Sequence, residues 1–224
     1  MKSSQALSVP LSLYQNASSK GQDVHRGGDS SRELVKWLGD ECPSDFSVLE
    51  IGCLEADNAI AKYVQKHQKS IRRIDLKSRD PRIEEQDFMT LTVPQEVSTF
   101  YVKLMQKYDL ISLSLVLNFV PTPQGRYDML KRTTLFLRDP ATYHNIYPAL
   151  FVVLPLPCVS NSRYLPRDHF LDIMKSLGYS LFRTKESKRM AYWLFCWTGN
   201  VEEREWKKKV INEGKGRNNF AICT

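Results

Sequence analysis

The sequence predicts an α/β protein with a mostly parallel sheet, helices on both faces and a C-terminal antiparallel hairpin. Three observations predict it. Short apolar runs alternate with amphipathic stretches from residue 46 to residue 177. Tyr108–Leu117 and Ala149–Leu154 are nearly unbroken runs of apolar residues and serine, the pattern of strands buried on both faces. Tyr179–Phe182 and Ala191–Trp197 flank the charged segment Lys185–Arg189, which reads as a hairpin.

In chain order, residues 1–28 are a polar, Gly/Ser-rich extension in which only Tyr14–Ser18 is expected to be ordered. Asp29-Ser30-Ser31-Arg32-Glu33 reads as a capping box, with Ser30 accepting from a backbone N–H and Glu33 reaching back. Leu34, Val35 and Leu38 give the helix that follows its apolar stripe. A turn at Glu41-Cys42-Pro43 leads to a strand at 46–51, a helix near 57–68 and a second strand at Arg72–Leu76. A loop or short strand at 80–90 and an amphipathic helix at 95–106 precede the buried strand Tyr108–Leu117. Helix signals resume at 125–137 and stop before Asp139-Pro140. Strand Ala149–Leu154 breaks at Pro155 and Pro157, and helix Pro166–Leu177 carries proline at its first position and Gly178 just past its end. This gives a domain at 29–200, followed at 201–224 by a C-terminal helix and tail.

A chain of 224 residues, 42% hydrophobic and 25% charged, suits one globular domain with a substantial core. No apolar run approaches the roughly 18 residues needed to span a bilayer, and the start Met1-Lys-Ser-Ser-Gln5 lacks the apolar core of a signal peptide. Cys42, Cys53, Cys158, Cys196 and Cys223 are scattered and odd in number, and His25, His67, His144 and His169 lack ligand spacing. A reduced, intracellular, metal-free protein without a membrane span is expected. A net charge of +7 favours an acidic partner. Eight Lys/Arg against two Asp lie between Lys62 and Arg82, which reads either as a solvated helix face or as a track for phosphates.

The site signal lies at the strand ends, where open parallel sheets bind their ligands. Val48-Leu49-Glu50-Ile51-Gly52-Cys53 reads as a buried strand entering a tight turn, and glycine there lets backbone approach a ligand. Asp75 ends the next strand, placed to accept from ribose hydroxyls. The two further glycines of a dinucleotide fingerprint are replaced by Leu54 and Ala56. A nucleoside without phosphates therefore fits better, and S-adenosylmethionine (SAM) leads. Asp87 suits the adenine amino group, or alternatively a helix or turn cap, and Phe88 suits stacking or edge packing. Glu50, or a backbone carbonyl near Gly52, suits the methionine ammonium, and Leu76 and Ser112, at strand ends, complete the cofactor set.

Strand–helix alternation closed by a hairpin is the layout of the seven-stranded, Rossmann-like SAM-dependent methyltransferases. Arg26-Gly-Gly-Asp29-Ser-Ser31, Asp75-Leu-Lys-Ser78, Gln86-Asp87-Phe88, Ser112–Pro121, Leu154–Tyr164 and Arg217–Ile222 resemble the fungal 25S rRNA adenine-N(1) methyltransferases over roughly residues 14–222. The resemblance implies methyl transfer from SAM to an adenine of large-subunit rRNA, free or in a pre-ribosomal particle, in the nucleus and nucleolus. It maps SAM binding onto Gly52 and Asp75. A more distant resemblance to the animal SAM sensor SAMTOR implies the alternative of a non-catalytic SAM-binding regulator. Asn118-Phe119-Val120-Pro121 departs from the Asn/Asp-Pro-Pro-aromatic tetrad of many enzymes that methylate the exocyclic nitrogen of adenine, which favours the ring nitrogen. The family's longer members also carry N-terminal sequence that has no counterpart here. Asn118, Phe119, Asn161 and Tyr164 are the candidates for holding an unstacked adenine. Core packing is the competing role for Phe119.

Overall fold

A computed structural model describes residues 28–40, 42–94, 107–140 and 146–224. Its elements are α1 (Ser31–Leu38), β1 (Ser47–Ile51), α2 (Ala59–Lys66), β2 (Ser70–Asp75), β3 (Glu84–Glu85) and β4 (Leu110–Ser114). A 3-10 turn (Leu117–Phe119), α3 (Pro123–Phe136), β5 (Ala149–Pro155), α4 (Pro157–Ser160), α5 (Arg167–Ser176), β6 (Tyr179–Glu186) and β7 (Met190–Trp197) follow. The expected element at Tyr14–Ser18 and the expected helix at 95–106 lie outside the described residues.

Seven strands form one sheet in the order β3-β2-β1-β4-β5-β7-β6. The β1, β2, β3, β4 and β5 ladders are parallel, and β7 joins β5 and β6 antiparallel. The strand order reverses between β1 and β4, which opens a crevice at their carboxyl ends. The run Ala149–Leu154 is fully buried because alternate residues of β5 serve two cores. Leu150, Val152 and Leu154 belong to the layer that contains Leu130 of α3 and Phe170 of α5. Phe151 and Val153 belong to the layer that contains Leu34 of α1 and Ile60 of α2. Pro155 does not break the strand. As its last residue it lies opposite Met190, a position where a missing N–H is tolerated.

Several local expectations are corrected. Ser30 makes no side-chain cap bond, and its hydroxyl meets that of Ser114 at 2.7 Å. The cap is Asp29, whose Oδ1 accepts from Ser31 N at 2.9 Å while Oδ2 accepts from Ala59 N at 2.6 Å. One carboxylate thus serves the N-termini of α1 and α2, and Glu33 is left to pair with Lys185 at 2.6 Å. The fourth strand ends at Ser114 rather than Leu117, because Leu115 takes φ +57° and the chain turns into the 3-10 segment. Pro166 sits one position before α5, as its N-cap. The sixth strand runs on to Glu186, so the hairpin turn is only Ser187–Arg189.

Residues 201–224 form no helix, contrary to expectation, but an irregular strap. Mixed charges from Glu202 to Arg217 offer no apolar stripe for a helix to bury. Single residues anchor the segment instead: Trp206, Ala221 and Ile222 are buried, and Trp206 Nε1 donates to Ser176 Oγ at 3.0 Å.

Candidate cofactor and acceptor site

A cavity of about 210 Å³ opens at the carboxyl ends of β1 and β2. Gly52, Asp75, Leu76, Asp87, Phe88 and Phe119 all line it. Glu50, Ser112, Asn118, Asn161 and Tyr164 are not among its lining residues.

Gly52 has φ +73° and donates its N–H to Ile74 O at 2.8 Å. That bond ties the turn after β1 to the end of β2 and so sets the spacing of the cavity walls. The left-handed φ already favours glycine, and space demands it again: a Cβ here would lie 2.3 Å from Val116 Cγ2.

Asp75 is 3% exposed. Its Oδ1 accepts from Lys77 N at 2.9 Å, whereas Oδ2 is buried without a hydrogen-bond partner. Burial pushes its pKa up, with the Lys77 N–H working against the shift. An unsatisfied acceptor on a cavity wall costs free energy until a donor arrives, and a ribose diol supplies two. Leu76 leaves the strand at this point and lies 43% exposed at the rim, an apolar surface for a purine ring.

Glu50 sits one layer deeper, opposite Arg73 of β2 and Ser112 of β4 in the sheet register. Its Oε1 accepts from Asn58 Nδ2 at 2.6 Å and its Oε2 is buried without a partner. Desolvation raises its pKa to about 7, opposed by the Cys53 thiol, the Asn58 amide and the Arg73 guanidinium. An ammonium group arriving nearby would favour the carboxylate. Ser112 is 2% exposed in mid-strand and lies below the cavity rather than on it.

Asp87 also has a turn role, since its Oδ1 accepts from Met89 N at 2.8 Å. Phe88 is 2% exposed and packs its ring 5.1 Å from that of Phe136, so it walls the cavity from the core side. Arg132 holds this segment to α3 by donating to the carbonyls of Phe88 and Leu91.

On the acceptor side, Phe119 lines the cavity from the 3-10 turn, and the adjacent Asn118 Oδ1 is buried without a partner. Asn161 and Tyr164 do not line the cavity and are bound up with the strap. Asn161 Nδ2 donates to Gly216 O at 3.1 Å, and the Lys208 ammonium lies 4.6 Å over the Tyr164 ring. A ring face covered by lysine is not open for stacking a base, because α4 and the strap meet there. Val116, Val120, Pro121 and Met129 also line the cavity and were not singled out from sequence. Val120 and Pro121 adjoin the Asn118-Phe119 pair and were within reach of that reading. Met129 is brought in only by the packing of α3.

Among the described residues no group of three or more His, Cys, Asp or Glu is placed to hold a metal ion. No helix among them is long and apolar enough to cross a membrane.

Residues 7–222 match the model of a family described as 25S rRNA (adenine(2142)-N(1))-methyltransferase, Bmt2. The chain belongs to this family. A 25S rRNA adenine-N(1) methyltransferase of Schizosaccharomyces pombe is 37% identical over 225 residues, covering 96% of this chain and 77% of the relative. The 25S rRNA (adenine(2142)-N(1))-methyltransferase of Saccharomyces cerevisiae is 35% identical over 217 residues, covering 95% of this chain and 59% of the relative. Solved structures add the fold. A Burkholderia thailandensis 1,6-didemethyltoxoflavin-N1-methyltransferase with bound S-adenosylhomocysteine superposes with a TM-score of 0.58 at 12% identity, over 88% of this chain and 93% of that one. A TehB-like SAM-dependent methyltransferase of Corynebacterium glutamicum gives 0.52 at 14% identity, over 84% and 100%. The 25S rRNA adenine-N(1) methyltransferase family is thus the one resembled at Asp75–Ser78, Gln86–Phe88 and Ser112–Pro121, and this member has the SAM-dependent methyltransferase fold.

Proposed function

We propose that the protein transfers a methyl group from SAM to ring nitrogen 1 of an adenine in large-subunit rRNA. The observation that carries this reading is the buried, unpartnered Asp75 Oδ2 on a cavity beside Gly52, in a chain of this family. Asp75 would hold the ribose, Leu76 and Phe88 would enclose the adenine, Asp87 would take its amino group, and Glu50 would meet the ammonium. SAM supplies a sulfonium-bound methyl group, so the chain has to position donor and acceptor in line and exclude water. Adenine nitrogen 1 is neutral and nucleophilic at pH 7, and no general base is required of the protein. Asn118 and Phe119 would hold the unstacked target base, with the Asn118 carbonyl available to its exocyclic amine. Asn161 and Tyr164 would act indirectly, by fixing the strap on the acceptor side. A pre-ribosomal particle in the nucleolus is the setting this reading implies.

The test is primer extension on rRNA from a strain lacking this modification, after incubation with the protein and SAM. N(1) methylation blocks Watson–Crick pairing, so arrest at one adenine is expected. SAM binding by calorimetry without arrest would instead leave a SAM-sensing regulator.

A further inference from the structure

We propose that Asp29, Ser30 and Ser31 are positioning residues for SAM, clamping together the two chain segments that meet at Gly52 and Val116 on the cavity wall. This rests on the reading that SAM occupies that cavity, and it gives a role to three residues that do not line it.

On one side the clamp holds α2. The first amides of a helix have no partner within it, and here three side chains accept from them. Ala59 N donates to Asp29 Oδ2 at 2.6 Å, Ile60 N to Ser31 Oγ at 3.1 Å and Ala61 N to Asn58 Oδ1 at 3.0 Å. The other oxygen of Asp29 is also in use: Oδ1 accepts from Ser31 N at 2.9 Å and from Ser31 Oγ at 2.5 Å. Asn58 extends the hold inward, since its Nδ2 donates to Glu50 Oε1 at 2.6 Å. The segment between β1 and α2 is thus fixed at both ends. The N–H groups of Gly52 and Cys53 on Ile74 O secure its start, and Asp29, Ser31 and Asn58 secure its end.

On the other side the clamp holds β4. Ser30 Oγ meets Ser114 Oγ at 2.7 Å. Ser114 is the last residue of β4, and Val116, two positions on, lines the cavity. Gly52 and Val116 leave no room between them, so a shift of either segment moves the wall that faces the ligand. A wall held in place before the ligand arrives lowers the ordering cost of binding. Caps without this role would stabilise α1 and α2 and leave the affinity of the folded protein unchanged.

The experiment is calorimetric titration of the full chain with SAM, at a temperature where circular dichroism shows every variant folded. An amide has one acceptor oxygen where the carboxylate uses two. Asp29→Asn therefore loses either the bond to Ala59 or those to Ser31, and SAM should bind roughly tenfold more weakly. Ser30→Ala, a milder change, should weaken SAM about threefold, and Ser30→Thr, which keeps the hydroxyl, should restore the affinity. Ser30→Ala/Ser114→Ala should be no weaker than Ser30→Ala, because the two residues act through one bond. Glu33→Gln, which breaks the ion pair of α1 with Lys185, should leave SAM affinity unchanged. Unchanged affinity in both Asp29→Asn and Ser30→Ala, additive losses in the double variant, or an equal loss in Glu33→Gln would each overturn the clamp while leaving the proposed function standing. No SAM binding by the unmodified chain would overturn both.

Discussion

Gly52 and Val116 occupy one another's space: the Gly52 Cα lies so close to the Val116 side chain that an added Cβ would be 2.3 Å from its Cγ2. Both residues line the cavity, so the glycine keeps the pocket wall in place as well as letting a ligand approach. Gly52→Ala should destabilise the fold by about 1–3 kcal/mol through overpacking and weaken SAM as the turn shifts. Gly52→Ala/Val116→Ala should recover part of the loss in thermal melts. The remainder is the cost of φ +73° for alanine. A double variant no better than the single one would assign the whole effect to the backbone.

Asp75→Ala should weaken SAM by about 1.5–3 kcal/mol, the scale of a hydrogen bond to a charged group. The ribose is common to both ligands, so S-adenosylhomocysteine should lose as much in the same calorimetric titration. A loss confined to SAM would move Asp75 towards the sulfonium.

Glu50 ties the stability of the fold to pH. Burial raises its pKa from 4.5 to about 7 in the folded protein, so the native state binds this proton more tightly than the unfolded chain does. The resulting stability is fully present below about pH 4.5 and is lost as pH rises through 7, with an upper scale of about 3 kcal/mol. Glu50→Gln should remove that slope from denaturant titrations and leave the ligand-free variant the more stable protein above pH 7. An ammonium beside Glu50 would favour the carboxylate, so SAM binding near pH 6 should release close to one proton, and near pH 8.5 almost none. Calorimetry in buffers of different ionisation enthalpy reads this directly. A binding heat independent of buffer at both pH values would separate Glu50 from the ammonium.

Trp206 anchors the strap. Trp206→Ala removes a buried indole and its bond to Ser176 Oγ, which should cost about 3–5 kcal/mol. Trypsin should then cut at Lys207–Lys209 faster than in the unmodified chain at the same temperature. Unchanged cleavage would show that the bonds from Asn212 Nδ2 to Ser162 O and from Asn218 Nδ2 to Pro157 O hold the strap alone.

Asn118→Ala should lower the rate of methyl transfer at saturating SAM while leaving SAM affinity intact, because Asn118 is not among the cavity-lining residues yet its Oδ1 is a buried acceptor. An equal fall in SAM affinity would place Asn118 with the cofactor instead of the target base.

Local pattern determined the strands, the parallel order implied by alternation, the hairpin and the candidates Gly52, Asp75, Asp87 and Phe88, which line one cavity. These features are set by residues close in sequence: alternation of β5 between two cores, a left-handed turn after β1, an acid at a strand end. Tertiary structure decided what depends on partners distant in the chain. Asp29 displaced Ser30 as the cap because Ala59 of another helix shares its carboxylate. Glu50 is perturbed by burial that no neighbour in sequence announces. Asn161 and Tyr164 lie off the cavity, where Gly216 and Lys208 fold back onto them. The strap replaced a helix because its anchors, Trp206 and Ile222, follow no helical period and are buried only by a core formed elsewhere.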